Sequence, residues 1–150
     1  VPTGNSAFSV SVWALWSTVV SYAPTIAYGD NAGSGAVVLN VTAGGHFKAS
    51  FWSNEFESST SISTDTWYNI ALTYAGGTDG AVELFVNGSS ILTGTKTLNI
   101  ISTGTVDFGW FTEGGNYDFD GNIGPGMIWD RTLTSAEVLQ NYNQLKGRFA

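Results

Sequence analysis

Apolar residues in this chain alternate with polar ones in short runs, a period that suits a half-buried β-strand and not a helix. In FSVSVWALW, Phe8, Val10 and Val12 share one face while Ser9, Ser11 and Trp13 share the other. Trp13 makes that second face at least half-buried as well. Further runs follow as TIAYG, GAVVLNV, HFKASFW, TWYNIALTY, AVELFVNGSSILTG, TVDFGWF and YDFDGNIGPGMIWD. Between them lie GDNAGSG, TAGG, SNEFESSTSISTD, AGGTDG and TEGGN, whose glycine, asparagine and aspartate punctuation reads as turns and loops. Strands recurring about every ten residues with such breaks predict a β-sandwich.

Two local signals are sharper than the rest. Asn87-Gly88 lies between Val82, Leu84, Val86 and Ile91, and a type I′ turn needs positive φ at both central residues, so this dipeptide predicts a tight hairpin. Thr134-Ser135-Ala136-Glu137 has the form of a capping box. It opens a helical pattern with Val138, Tyr142 and Leu145 on one stripe and Gly147 placed to end it. No linker, low-complexity tract or internal repeat interrupts residues 1–150, which read as a single domain.

Composition narrows the partners. Of 150 residues only 11% are charged, and the formal net charge is −7. The basic residues are Lys48, Lys96, Arg131, Lys146 and Arg148, with no cluster ahead of the C-terminus, which argues against nucleic acid. There are no cysteines, a mild argument against a disulfide-rich animal matrix protein. No apolar run approaches about 18 residues, so no membrane insertion is expected. Val1–Asn5 does not read as a leader peptide.

Three segments carry a family resemblance. FDGNIGPGMIWDRTLTSAEVLQNYNQLKGRF resembles the closing segment of laminin-G-like, concanavalin-A-like lectin/glucanase domains, in which a Phe-x-Gly-x-Ile strand leads through an Arg-x-Leu turn into a helix. FSVSVWAL is similar to the family's early strand with its buried Trp, and TWYNIALTYAGGTDGAVELFVNG to its Trp-x-x-Ile strand and following hairpin. The ending looks most like the variant of phage and viral structural proteins and of bacterial surface proteins. The resemblance implies an all-β concanavalin-A-like jelly-roll β-sandwich with one short C-terminal helix. It also implies a further strand ahead of FSVSVW for which the seven preceding residues leave little room, so a partner strand supplied by a neighbouring subunit, at FSVSVW or at FDGNIGPGMIW, is expected; the competing explanation is a strand lost by processing, with the rest closing as a seven- or eight-stranded monomer.

Chemistry-bearing residues are sparse. Glycoside hydrolysis requires two carboxylates across the scissile bond. Glu55 with Glu57 and Asp118 with Asp120 have alternate spacing, but no Glu-x-Asp-x-x-Glu string like that of the family's hydrolases occurs. Glu55 and Glu57 therefore read as solvated loop residues, Asp118 and Asp120 as turn or strand-edge residues. His46, the single histidine, sits beside Gly44-Gly45 and reads as a turn residue, leaving no hydrolytic triad. No cofactor is required by the pattern. Calcium is the metal to consider, with Asp30, Asn31 and Asp118 as candidate ligands and Asp79, Glu113 and Asn116 as further oxygens.

Sugar binding combines an aromatic plate with amide and carboxylate partners. Trp52, Asn54, Trp110, Glu113, Asn116 and Tyr117 supply these types around two strand ends, while Trp13, Trp67 and Trp129 read as packing residues. Asn40-Val41-Thr42 and Asn87-Gly88-Ser89 match the glycosylation pattern but read as strand and turn. The leading expectation is a non-enzymatic module on a virion or other extracellular surface, forming a homo-oligomer or contacting neighbouring subunits or host glycans. The alternative is a carbohydrate-binding or adhesion module of a secreted bacterial protein, with a glycoside hydrolase a distant third.

Overall fold

A computed structural model of the chain describes residues 1–114 and 117–149. The described residues form ten strands: β1 (Phe8–Trp16), β2 (Ile26–Gly29), β3 (Ala36–Val41), β4 (His46–Ser50), β5 (Glu55–Ser61), β6 (Trp67–Tyr74), β7 (Gly80–Val86), β8 (Ser89–Lys96), β9 (Val106–Phe108) and β10 (Gly121–Trp129). One helix, α1 (Ser135–Leu145), follows. The strands build two antiparallel five-stranded sheets, ordered β10-β1-β6-β7-β8 and β5-β4-β3-β2-β9. This is the expected all-β sandwich with a short C-terminal helix.

Alternation decides which side chains enter the core. Phe8, Val10, Val12 and Ala14 of β1, Val37, Leu39 and Val41 of β3, and Phe47 and Ala49 of β4 all face the space between the sheets. They meet Ile70, Leu72 and Tyr74 of β6 and Val82 and Leu84 of β7, so the core is one continuous apolar layer. Trp16 lies within it, in edge-to-face contact with Phe47 and Phe119. The intervening residues of β1 face outward, where Ser9 and Ser11 find partners. The Ser9 hydroxyl donates to the Arg131 carbonyl at 2.9 Å and accepts from the Leu133 N–H at 2.8 Å. These bonds tie the segment leading to α1 onto the sheet.

Both sharp local signals are realised. Asn87 and Gly88 have φ of 52° and 77° and join β7 to β8 as a two-residue hairpin. Thr134 caps α1, its hydroxyl accepting from the Glu137 N–H while the Glu137 carboxylate accepts from the Thr134 N–H at 2.8 Å. Arg131 locks the same carboxylate from the other side at 2.7 Å.

Three expectations are corrected. FSVSVW is not an open edge: β1 lies between β10 and β6 and is paired on both sides. The strand that fills the place beside it comes from more than a hundred residues downstream, a pairing that no local pattern reports. The other strand named for augmentation, β10, is an edge of its sheet. Residues 55–61, read as loop, form β5, because Phe56 and Ser58 alternate inward against β4. Gly147 does not end α1 in a left-handed turn; the helix tightens into a 3₁₀ turn over Lys146–Arg148 with Lys146 in the right-handed region.

Candidate functional site

The outer face of the β5-β4-β3-β2-β9 sheet carries two rows of side chains set by strand register. Val38 stands opposite Ser50, which stands opposite Glu55; Asn40 stands opposite Lys48, which stands opposite Glu57. Because alternate residues share a face, all six point away from the core.

Three connections rise around these rows. The segment after β1 brings Tyr22 and Pro24, the one after β4 brings Trp52 and Ser53, and the one after β9 brings Phe111, Gly114 and Tyr117. Together with Val38, Asn40, Ser50 and Glu55 they enclose a pocket of about 320 Å³. That volume lies at the small end of ligand sites, which run from about 300 to 1,000 Å³. Trp52 packs edge-on against Phe111 with ring centroids 6.2 Å apart, and Tyr22 meets Tyr117 at 5.9 Å. Tyr22 and Tyr117 remain about half exposed, at 51% and 47%.

The backbone at this rim is strained. Tyr22, Trp52 and Ser53 have φ of 64°, 60° and 59°, values that bulky L-residues rarely adopt and that persist only where surrounding structure enforces them. The Tyr22 N–H donates to the Val41 carbonyl at 3.2 Å, and the Trp52 carbonyl accepts from the Ser34 N–H at 3.0 Å. Such enforced conformations collect at ligand sites.

Beneath Tyr22 lies a charge network. The Lys48 ammonium is 1% exposed and sits 2.6 Å from the Glu55 carboxylate, 3.2 Å from that of Glu57 and 4.3 Å from the Tyr22 ring centroid. Burying an ammonium is tolerated because two carboxylates and an aromatic face replace its water. Ser50 donates its hydroxyl to the same Glu55 oxygen that pairs with Lys48, at 2.5 Å. Asn40, 2% exposed, turns its Nδ2 toward the Tyr22 carbonyl at 3.5 Å. Its Oδ1 is buried without a hydrogen-bond partner among the described residues.

The structure brings together only some of the expected site residues. Trp52 and Tyr117 both line the pocket. Asn54 does not: its Nδ2 donates to Ser34 at 3.0 Å and its Oδ1 accepts from Lys96 at 2.6 Å, so the side chain fastens the rim to neighbouring segments. Trp110, exposed, and Glu113, half-buried, lie outside the pocket lining. Asn116 falls outside the described residues. The solvated-loop reading of Glu55 and Glu57 is corrected, since both lie on β5 and hold Lys48. Tyr22, Asn40, Lys48 and Ser50 are pocket or network residues that sequence reasoning does not single out. The available signal for Lys48 is a lysine at an outward position of an alternating strand whose neighbours are apolar, facing two acids of alternate spacing.

Among the described residues no three histidine, aspartate or glutamate side chains gather at one point. The Asp30 carboxylate accepts from the Asn31 N–H at 2.7 Å, an ordinary turn contact, and Asp118 is exposed in a connection.

Trp13, Trp67 and Trp129 take the packing roles expected of them. Trp13 stacks on Phe149 and Tyr142, Trp67 leans on Phe149, and Trp129 covers Ala71, Phe85, Leu133 and Val138.

The sequence profile described as the Concanavalin A-like lectin/glucanases superfamily matches residues 1–139. No curated protein sequence matches the chain. Among solved structures, domain 4 of a GH43 extracellular arabinanase from Geobacillus stearothermophilus, in complex with arabinotriose, is similar at 19% identity and a TM-score of 0.70, over 93% of this chain and 68% of that one. The CBM40 of Ruminococcus gnavus IT-sialidase bound to α2,3-sialyllactose is similar at 15% identity and 0.75, over 93% and 84%. A putative carbohydrate-binding protein from Bacteroides ovatus ATCC 8483 is similar at 16% identity and 0.74, and the chain spans only 42% of it. Likeness at such identity establishes the fold. With the profile matching nearly the whole sequence and the jelly-roll architecture in place, the chain belongs to the concanavalin A-like lectin/glucanase superfamily.

Proposed function

We propose that the chain is a non-catalytic carbohydrate-binding module that acts outside the cell. One observation carries this reading: the pocket on the β3-β4-β5 face unites aromatic walls from Tyr22, Trp52 and Tyr117 with hydrogen-bonding groups on Asn40 and Glu55. A sugar ring has apolar C–H faces and a polar rim of hydroxyls, and this pocket offers a surface for each. The similar structures add support, since two of the three are described with an oligosaccharide bound. The virion role, the leading expectation from sequence, draws no comparable support, and the glycan-binding alternative takes its place.

Catalysis is disfavoured by the same geometry. Glycoside hydrolysis needs two carboxylates set across the scissile bond, whereas Glu55 and Glu57 both turn toward the Lys48 ammonium, at 2.6 and 3.2 Å. Among the described residues no helix is long and apolar enough to cross a membrane.

The test is direct. A glycan array followed by calorimetry should find an oligosaccharide ligand, and Trp52→Ala and Tyr117→Ala should each weaken it about tenfold or more, equivalent to about 1.4 kcal/mol, with unchanged circular dichroism. Binding indifferent to both substitutions would place the site elsewhere and defeat the proposal.

A further inference from the structure

The polar groups of the pocket are unequal in kind, and that inequality bears on which sugars fit. Lys48 pairs with Glu55 of the pocket lining, but its ammonium is buried and already faces Glu55, Glu57 and the Tyr22 ring. Lys96 donates to the Asn54 side chain and the Glu55 carbonyl, at 2.6 and 2.7 Å. Lys48 is thus fully engaged, Lys96 has spent two of its three N–H donors, and among the described residues neither lines the pocket.

Neutral donors are present in the Tyr22, Ser53 and Tyr117 hydroxyls and the Trp52 indole N–H, but the charged side chain among the lining residues is a carboxylate. Glu55 lines the pocket with its side chain 37% exposed, so part of the carboxylate is open to a ligand. Ser50 spends its proton on Glu55, leaving lone pairs. Asn40 contributes the buried, unpartnered Oδ1. The amide is turned so that its Nδ2 faces the Tyr22 carbonyl, which sets a donor opposite an acceptor there. A buried acceptor without a partner is desolvated at a cost that a ligand hydroxyl would relieve.

From this imbalance we infer that the pocket selects an uncharged, hydroxyl-rich sugar, whose hydroxyls donate to Asn40 Oδ1 and Glu55, and discriminates against sialic acids, uronic acids and sulfated sugars. An acidic group brings a negative charge beside the Glu55 carboxylate, with no cationic side chain among the lining residues to receive it. This inference rests on the glycan-binding reading and specifies its ligand class. Of the sugars bound in the similar structures, arabinotriose has the favoured chemistry and α2,3-sialyllactose the disfavoured one.

The experiment pairs each neutral sugar with an acidic counterpart: lactose with α2,3-sialyllactose, and arabinan and galactan oligosaccharides with oligogalacturonate. Calorimetry on the full chain should show the best neutral sugar bound at least about tenfold more tightly than any acidic probe. Its affinity should change less than about twofold between low and high salt, because no ligand charge is screened. Glu55→Gln keeps the shape, leaves Glu57 on Lys48 and removes the facing charge; it should weaken the neutral sugar and narrow the gap to about threefold or less. Equal or tighter binding of an acidic probe overturns the inference while leaving the glycan-binding reading intact. A gap unchanged in Glu55→Gln likewise overturns the inference alone. Binding of no neutral or acidic sugar overturns both.

Discussion

The two sheets each present aromatic residues on their outer faces, and the two faces have opposite fates. On the β10-β1-β6-β7-β8 sheet, Trp13 lies 4.4 Å from Phe149 and 5.6 Å from Tyr142, ring centre to ring centre, in near-parallel stacks. The C-terminal segment has folded back over that face. It fits closely enough that a Cβ on Gly124 of β10 would come within 2.9 Å of the Trp13 Cβ and 3.1 Å of the Phe149 ring. On the other sheet the surrounding connections stop at the rim, so Tyr22, Trp52, Phe111 and Tyr117 enclose space instead of filling it. Aromatic content alone does not separate binding from packing; what separates them is whether the chain returns over the ring.

Substituting one aromatic on each face tests that distinction most strongly. Trp13→Ala should cost about 4 kcal/mol of stability, because it empties a site closed on both sides. Trp52→Ala, at an open rim, should cost less than about 2 kcal/mol while weakening the proposed glycan binding about tenfold or more. Denaturant midpoints at constant slope measure both. Equal losses would break the comparison.

The open face has its own buried element, and the next effect sharpens what holds it. Replacing Glu55 and Glu57 together by Ala strands the Lys48 ammonium and should cost about 3 kcal/mol. Lys48→Met should cost less than half as much, since the two carboxylates left behind are partly exposed and water can solvate them. Urea titration of the two variants ranks them. The reverse order would mean that the carboxylates, not the ammonium, are the costly partners.

A smaller effect probes the seat of the covering helix. Gly88 has φ of +77°, and a Cβ there would lie 2.9 Å from Leu139 Cδ1 and 3.2 Å from the Leu139 Cα. Gly88→Ala should therefore lower stability by about 1–2 kcal/mol from left-handed strain alone, and should also loosen α1. Faster amide exchange in α1 than in β3 and β4 is the expected readout.

The smallest effect is a dependence on pH. The Arg131 guanidinium and the Thr134 N–H hold the Glu137 carboxyl at about 2, below its ordinary 4.5. A depressed folded-state value means that the contribution is complete above the ordinary value and is lost as pH falls toward about 2. The helix cap on the covered face should thus weaken between about pH 4.5 and 2, seen in the near-ultraviolet signal of the Trp13 stack, and Glu137→Gln should flatten that window. A window unchanged in Glu137→Gln would assign the acid response to another group.

Local chemistry is legible where its cause is local. The alternation in FSVSVWAL, the Asn87-Gly88 turn and the Thr134–Glu137 box each depend on residues within a few positions of one another, and each forms as its pattern predicts. The NEFES segment reads as loop because its polar residues match loop composition. Only the partner strand β4, which offers Lys48 outward and receives Phe56 inward, makes it a strand.

The sequence by itself determined a sandwich, its hairpin, its closing helix and the aromatic and acidic stock from which a sugar site can be drawn. Tertiary structure decided which members of that stock meet. Asn54 and Trp52 are two positions apart, yet one is consumed by Ser34 and Lys96 and the other lines the pocket. Tyr22, Asn40, Glu55 and Tyr117 are distant in sequence and adjacent in space. Strand register and the course of three connections bring them together, and these are set by long-range pairing and burial across the whole core, which no short window of sequence encodes.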